Sequence, residues 1–150
     1  MKRFAISLTP VFAALLACLL FTECRKKDDG PSETRKQLPG SWRVTAFGAD
    51  MNGNTLLDLD EFVPAPETPA IVNTFSADGT GSTSMSYNGF PLNTTNTWEL
   101  SNSDKTLKVV ANTNGVGITQ YYTIVSINSV MMVLADTTRA QRSFTVANKQ

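Results

Sequence analysis

The chain has 150 residues, which allow one domain and not comfortably two. Its 13 Lys and Arg residues balance 13 Asp and Glu residues, so it lacks the basic surface that nucleic-acid binding requires. It has no histidine, and its two cysteines, Cys18 and Cys24, both precede the predicted globular part. These counts exclude a disulfide framework inside the domain and Ser-His or Cys-His catalysis, so we expect that the protein is not an enzyme.

The first element in chain order, at residues 1–23, has the pattern of an export segment. Lys2 and Arg3 form a positive start, residues 4–21 are apolar and nearly uncharged, and Cys24 follows before a run of charged residues. This arrangement resembles the signal peptide and lipobox of bacterial lipoproteins, whose cysteine receives a diacylglycerol and becomes the new N-terminus. The resemblance implies a protein of the Gram-negative cell envelope, anchored to the outer membrane by acyl chains such as palmitate, with surface exposure as an open alternative.

The choice of the acylated cysteine is between Cys24 and Cys18. Glu23 stands where lipoboxes carry a small residue, and residues 15–18 fit the box better. Cleavage before Cys18 would however leave apolar residues 19–21 exposed, so we favour Cys24 and keep Cys18 as the alternative. A plain cleaved signal and an uncleaved anchor also remain open.

Residues 24–36 follow as a flexible tether, because they are charged, contain Gly and Pro, and show no apolar period. Residues 32–38 could close into a short helical turn at the end of the domain. The domain itself is predicted to span residues 37–150.

The domain reads as a series of short strands that alternate apolar and polar residues. In the first, residues 41–47, Trp42, Val44 and Ala46 share one face. Seven more strands are predicted at residues 71–76, 80–87, 95–100, 106–111, 118–125, 130–135 and 142–147. Hairpin signals separate them, Asn88-Gly89 being the strongest, and no helical pattern intervenes. We therefore predict an all-β fold, an eight-stranded antiparallel up-and-down barrel, with a sandwich as the structural alternative.

Several of these motifs, in this order, resemble a bacterial lipocalin-like domain of the lipocalin or calycin group over residues 36–147. They are Leu38-x-Gly40-x-Trp42, residues 75–80, residues 97–101, residues 105–109 and residues 121–125 leading to residues 133–134. The resemblance implies that Gly40 and Trp42 form the signature of the closed barrel end. It also implies an arginine of a late strand, Arg142 or Arg139, over the tryptophan.

The resemblance further implies that the open cup holds a small apolar or amphiphilic molecule. Met85, Tyr87, Trp98 and Tyr122 are the candidate lining residues. Core filling is the alternative role for each of them.

The loop after the first strand carries a calcium-loop pattern. Asp50, Asn52, Asn54, the Leu56 carbonyl, Asp58 and Glu61 fall at ligand positions of the twelve-residue loop. Thr55 stands where that pattern needs a glycine with positive φ, and no flanking helices are predicted. A structural calcium ion is one interpretation, and a surface loop with local side-chain turns is the other.

Three functions remain. The first is a lipid-anchored envelope protein that binds a small apolar or amphiphilic ligand without catalysis. The second is an envelope scaffold with a filled barrel and a calcium-stapled loop. The third, a hydrolase or isomerase, would need polar side chains that converge inside the cup. The sequence leaves the ligand, the membrane face and the oligomeric state open.

Overall fold

The computed structural model describes residues 31–56, 58–87, 89–113, 115–136, 138 and 141–150. Pro31–Gln150 form one compact unit. The predicted export segment, Cys18 and Cys24 lie outside the described residues. None of the described helices is both long enough and apolar enough to cross a membrane.

The described elements are nearly all strands. In chain order they are α1 Glu33–Gln37, β1 Gly40–Ala49, a 3-10 turn Leu59–Glu61, β2 Phe62–Pro64, β3 Ile71–Phe75, β4 Thr80–Tyr87, β5 Phe90–Ser101, β6 Thr106–Thr113, β7 Val116–Ile127, β8 Met131–Asp136 and β9 Ser143–Lys149. All eight predicted strands are present, and β5 and β7 are longer than predicted. The short strand β2 was not predicted.

The strands form one closed antiparallel sheet. Its order is β2-β1-β3-β4-β5-β6-β7-β8-β9, and an additional pairing of β1 with β9 closes the cylinder. Strand β2 pairs only with Ala46–Gly48 of β1, so the barrel proper consists of β1 and β3 to β9. This confirms the predicted eight-stranded up-and-down barrel and excludes the sandwich, because a closed sheet has no second facing layer.

The main core lies at the end of the barrel that α1 covers. Trp42 and Leu38 are fully buried there with Leu107 and Met132. The indole nitrogen of Trp42 donates a 2.8 Å hydrogen bond to the carbonyl oxygen of Leu38, so the buried N–H is satisfied. Trp42 is thus a fully buried residue of the core at this end of the barrel.

The cation over Trp42 differs from both candidates of the sequence analysis. The ammonium of Lys149 lies 5.0 Å from the centre of the Trp42 ring. Arg142 instead donates a 2.9 Å hydrogen bond to the carbonyl oxygen of Thr55, because it precedes β9 and so lies at the opposite end of the barrel. The prediction of Arg142 was therefore wrong, and Arg139 lies outside the described residues.

The prediction that Ala46 shares one face with Trp42 and Val44 was wrong, because β1 contains a β-bulge. The register of β1 against β9 shifts between Val44 and Ala46. Val44 therefore faces the interior with Trp42, whereas Ala46 packs outside against a second apolar cluster that includes Phe144 and Val146. The bulge inserts an extra residue, which reverses the alternation beyond it and turns Phe47 inward.

Candidate functional site

The barrel interior above the main core holds a cavity of about 400 Å³. Its floor includes Phe75, Leu107 and Leu134, which are buried residues of the main core. Its walls rise toward the end of the barrel that carries the β4–β5 and β6–β7 hairpins, where Phe47, Ile71 and Met85 line it. Inward-facing rows of several strands therefore build the cavity, as the period of two dictates.

The polar side chains in the cavity wall are all uncharged. They are Asn73, Thr83, Asn96, Gln120, Tyr122 and Thr145. The Thr83 hydroxyl donates a 2.8 Å hydrogen bond to the Asn73 carboxamide oxygen across the β3–β4 pairing. The Tyr122 hydroxyl donates a 2.9 Å hydrogen bond to the Gln120 carboxamide oxygen. The remaining lining side chains among the described residues are aliphatic or aromatic.

Asn96 takes part in neither of these pairs. It is only 7% exposed, and its Oδ1 has no hydrogen-bond partner among the described residues. It lies in β5 opposite Gly81 of β4, where a Cβ atom would collide with Asn96 Oδ1 and with the carbonyl oxygen of Thr74. The glycine therefore leaves the space that the carboxamide occupies. A buried carbonyl oxygen without a donor costs about 1–3 kcal/mol.

The predicted lining residues fall in different places. Met85 and Tyr122 line the cavity, whereas Trp98 lies in the core cluster and donates hydrogen bonds to the carbonyl oxygens of Ser76 and Thr80. The side chain of Tyr87 lies outside the described part of the structure.

Sequence reasoning missed most of the wall residues, and two of them show why. Asn96 shares the inward face of β5 with Trp98, so the alternation of that strand contained the signal for it. Phe47 carried no such signal, because only the bulge in β1 turns it inward.

Tyr122 has a perturbed acidity. Burial raises the pKa of its phenol above the usual value, and the negative charge of Asp136 raises it further. These two residues pair across β7 and β8. The phenol therefore stays protonated at neutral pH and acts as the donor to Gln120.

The loop of residues 50–61 closes through its own side chains. The Asp50 carboxylate accepts hydrogen bonds from the backbone N–H groups of Gly53 and Thr55 at 2.7 Å and 2.9 Å. The Asn52 and Asn54 amide groups each donate a 2.8 Å hydrogen bond to Asp58 Oδ2. The amide oxygens of these asparagines accept from backbone N–H groups two residues later, which is the geometry of Asx turns.

The hydrogen bonds of Glu61 and the backbone angle of Thr55 bear on the predicted calcium site in this loop. Glu61 accepts hydrogen bonds from the backbone N–H groups of Met51, Asn52 and Asp58. Thr55 has φ of 65°, the left-handed turn that the calcium pattern assigns to its glycine. Within the described ranges, no three His, Cys, Asp or Glu side chains are grouped as a metal site. Calcium binding, including any role of the Leu56 carbonyl, stays a prediction.

Exposed apolar side chains gather near the cavity end of the barrel. They belong to the tips of the β4–β5 and β6–β7 hairpins and to the loop of residues 50–61, and they include Phe90, Leu92, Val116, Ile118, Met51 and Leu56. Where exposed apolar side chains form a contiguous patch, the patch commonly marks a contact surface.

No family model matches the chain, and no curated protein matches it. Among solved structures, a complex of bovine odorant binding protein with a selenium-containing odorant is similar to this chain. The sequence identity is 17%, the TM-score is 0.41, and the match covers 83% of this chain and 77% of that chain.

Proposed function

We propose that this protein binds a small apolar or amphiphilic molecule inside the barrel, without catalysis. The observation that carries the proposal is the interior cavity of about 400 Å³. Ligand pockets typically have volumes of about 300–1,000 Å³, with mostly apolar walls and a few placed polar groups. The cavity of this protein has both properties, because Phe47, Ile71 and Met85 alternate with carboxamide and hydroxyl side chains.

The lining supports binding rather than catalysis. Its hydroxyl groups, on Thr83, Tyr122 and Thr145, have no carboxylate, lysine or histidine beside them among the described lining residues. An activated nucleophile needs such a base within hydrogen-bond distance. The apolar walls provide area for a hydrocarbon group, and the polar groups can fix its orientation.

Native mass spectrometry tests this proposal directly. Residues 31–150, which contain all described strands and both core clusters, would be purified from cells and examined for co-purifying small molecules. Ala111→Phe places a large side chain in the cavity and is expected to abolish the bound mass. Val110→Phe, one residue away on the outer face, is the matched control and is expected to retain it. Ligand retention in Ala111→Phe would contradict the proposal.

We also propose that acyl chains on Cys24 anchor the protein to the outer membrane of a Gram-negative bacterium. The support is the apolar export segment and the charged tether behind the cysteine. Labelling of growing cells with an alkyne analogue of palmitate is expected to mark the wild type and Cys18→Ser but not Cys24→Ser. Labelling that is lost in Cys18→Ser alone would move the anchor to the alternative cysteine.

An interaction role in the envelope is the second candidate, favoured by the exposed apolar hairpin residues. Phe90 is 72% exposed and Val116 is 64% exposed, at the tips of different hairpins. A photo-crosslinking residue in place of Phe90 is expected to capture a partner, whereas the same residue in place of Thr97 on the outer wall is not. The interior cavity does not favour the filled barrel that this alternative assumed.

A further inference from the structure

Strand β7 extends beyond its neighbour β8 at the end of the barrel that carries the β6–β7 hairpin. Strand β8 ends at Asp136, which pairs with Tyr122, so residues 116–121 of β7 pair only with β6 among the described strands. Each of these six residues is exposed. We refer to residues 116–121 as the free edge of β7.

The free edge presents backbone groups that no described strand binds. The N–H of Ile124 donates a 2.8 Å hydrogen bond to the carbonyl oxygen of Lys105, on the side of β7 that faces β6. Alternate residues of an antiparallel strand direct their N–H and C=O groups to the same side. Gly117 and Thr119 therefore direct theirs to the other side, beyond the end of β8. Such a row of backbone donors and acceptors can pair with a strand of another chain.

The composition of this segment does not oppose such pairing. Monomeric proteins commonly protect a free edge with lysine or proline. Residues 109–135 contain neither proline nor any charged residue, so two copies of the segment do not repel each other. The β4–β5 hairpin differs, because Pro91 lies in the part of β5 that extends beyond its pairing with β6.

Gly117 lies on the free edge although the single chain does not require a glycine there. Its φ is outside the left-handed region, and a Cβ atom would meet only the Val110 side chain, at 3.7 Å, which is an ordinary contact. Gly81 is different, because a Cβ atom there would collide with the carbonyl oxygen of Thr74. A glycine inside a strand often marks a place that another backbone approaches closely.

We propose that a second copy of this chain binds the free edge, with the two β7 strands antiparallel about a two-fold axis at Ile118. In this register Gly117 pairs with the partner's Thr119, and the two residues exchange both of their backbone hydrogen bonds. Ile118, which is 50% exposed, lies directly opposite the partner's Ile118, so the two apolar side chains come into contact. This contact is separate from the cavity of the proposed function.

Side-chain size and the end of β8 select this register. Gly115, Gly117, Thr119 and Tyr121 share the outward face, so one half of that face lacks side chains and the other half is bulky. The pairing places the Thr119 and Tyr121 side chains of each copy over the glycines of the other copy. A longer overlap would bring the hairpin turn against the partner's Asp136, where β8 is already paired.

Sedimentation equilibrium of residues 31–150, the compact unit, tests the association. The contact is smaller than the 1,200 Å² or so of a stable interface, so we expect a reversible change from monomer to dimer between about 1 µM and about 500 µM. Gly117→Val should weaken the association at least about tenfold, because the new side chain occupies the space of the partner's Thr119. Its melting temperature should not fall, since valine is favoured in strands. Thr97→Val, on the exposed face of β5, is the control and should associate like the wild type.

Opposite charges at Ile118 test the two-fold axis. Ile118→Lys and Ile118→Glu should each be monomeric, because the axis places like charges directly opposite each other. An equimolar mixture of the two variants should form a heterodimer, which also shows that both are folded. The inference would be overturned by a wild type that stays monomeric, by a Gly117→Val dimer as stable as that of the wild type, or by a mixture that associates no better than its separate components.

Discussion

Lys149 and Trp42 join the last strand to the first at the closed end of the barrel. The Lys149 ammonium lies 5.0 Å from the centre of the indole ring. It also donates a 2.8 Å hydrogen bond to the carbonyl oxygen of Gln37, 112 residues earlier in the chain. One side chain thus combines a cation–π contact with a bond to a carbonyl at the end of α1. This relationship ties α1, β1 and β9 together.

Removal of the Lys149 ammonium should lower the stability of the folded protein. Lys149→Met keeps an apolar stem of similar length but loses the charge and the donor. We expect a loss of about 1–2 kcal/mol in the free energy of unfolding, measured by chemical denaturation. Lys105→Met, at an exposed turn residue, is the control and should change it by less than about 0.5 kcal/mol. Equal effects of the two substitutions would contradict the assigned role.

Trp98 should act as a core residue. It packs edge-to-face on Phe75 with ring centres 6.0 Å apart and donates to two backbone carbonyls. Trp98→Phe removes the indole donor, but backbone N–H groups still donate to both carbonyls, so we expect a cost of about 0.5–1.5 kcal/mol. Trp98→Ala also creates a cavity and should cost about 3–5 kcal/mol. Tyr121→Phe, on the exposed outer face, is the aromatic control, and an effect as large as that of Trp98→Phe would argue against this interpretation.

The contact of α1 with the β5–β6 turn should respond to acid. The hydrogen bond from Arg35, followed by that from Ser32, holds the pKa of Asp104 below its usual value. A lowered folded-state pKa gives stability that is complete above the unfolded pKa, near 3.9, and is lost as the pH falls through the lower folded value. Arg35 is about half exposed, so we expect a contribution of about 0.5 kcal/mol.

Unfolding of the wild type and of Asp104→Asn at several pH values measures this contribution. The difference between them should be constant near neutral pH and should shrink below about pH 4. Asparagine tolerates the positive φ of 61° at this position, so the substitution adds little backbone strain. Glu67→Gln, in an exposed loop, serves as the reference. A difference that grows on acidification would have the wrong sign for a lowered pKa.

Thr55 should be a strained position of the loop. A β-branched residue with φ of 65° is disfavoured, whereas glycine adopts this conformation freely. Thr55→Gly is therefore expected to stabilise the protein by about 0.5–1 kcal/mol, after the extra entropy of glycine in the unfolded chain is subtracted. Thr45→Gly, within β1, should destabilise it instead. A loss of stability in Thr55→Gly would show that the turn needs the threonine side chain.

Calcium binding by the same loop has a simple thermal test. If Asp50, Asp58 and Glu61 bind the ion as the sequence pattern predicts, millimolar calcium should raise the melting temperature of the wild type. Glu61→Gln should remove the response, because that position would supply two carboxylate oxygens. Binding would require the Asn52 and Asn54 amides to turn their oxygens toward the ion, since their N–H groups now face Asp58. No shift in millimolar calcium contradicts the prediction.

Much of the barrel could be predicted from alternation and turn residues. The β4–β5 hairpin was predicted at Asn88-Gly89, but the extension of β5 back to Phe90 was not, because Pro91 and Asn93 are poor strand residues by themselves. Pairing with β4, as between Met85 and Leu92, imposes the strand there. Strand β2 was missed for a similar reason, since it is short and exists through its pairing with β1.

The sequence by itself determined that this chain forms antiparallel strands, that Trp42 faces the core from the first strand, and which rows of β5, β6 and β7 face inward. These properties follow from local period, turn chemistry and the size of an indole. The tertiary structure decided that Lys149 and not Arg142 covers Trp42, that Ala46 faces outward, and that Asn96 lies unpaired beside Gly81. Closure of β1 on β9 and a bulge in the register set these contacts, and no local pattern encodes how distant strands align.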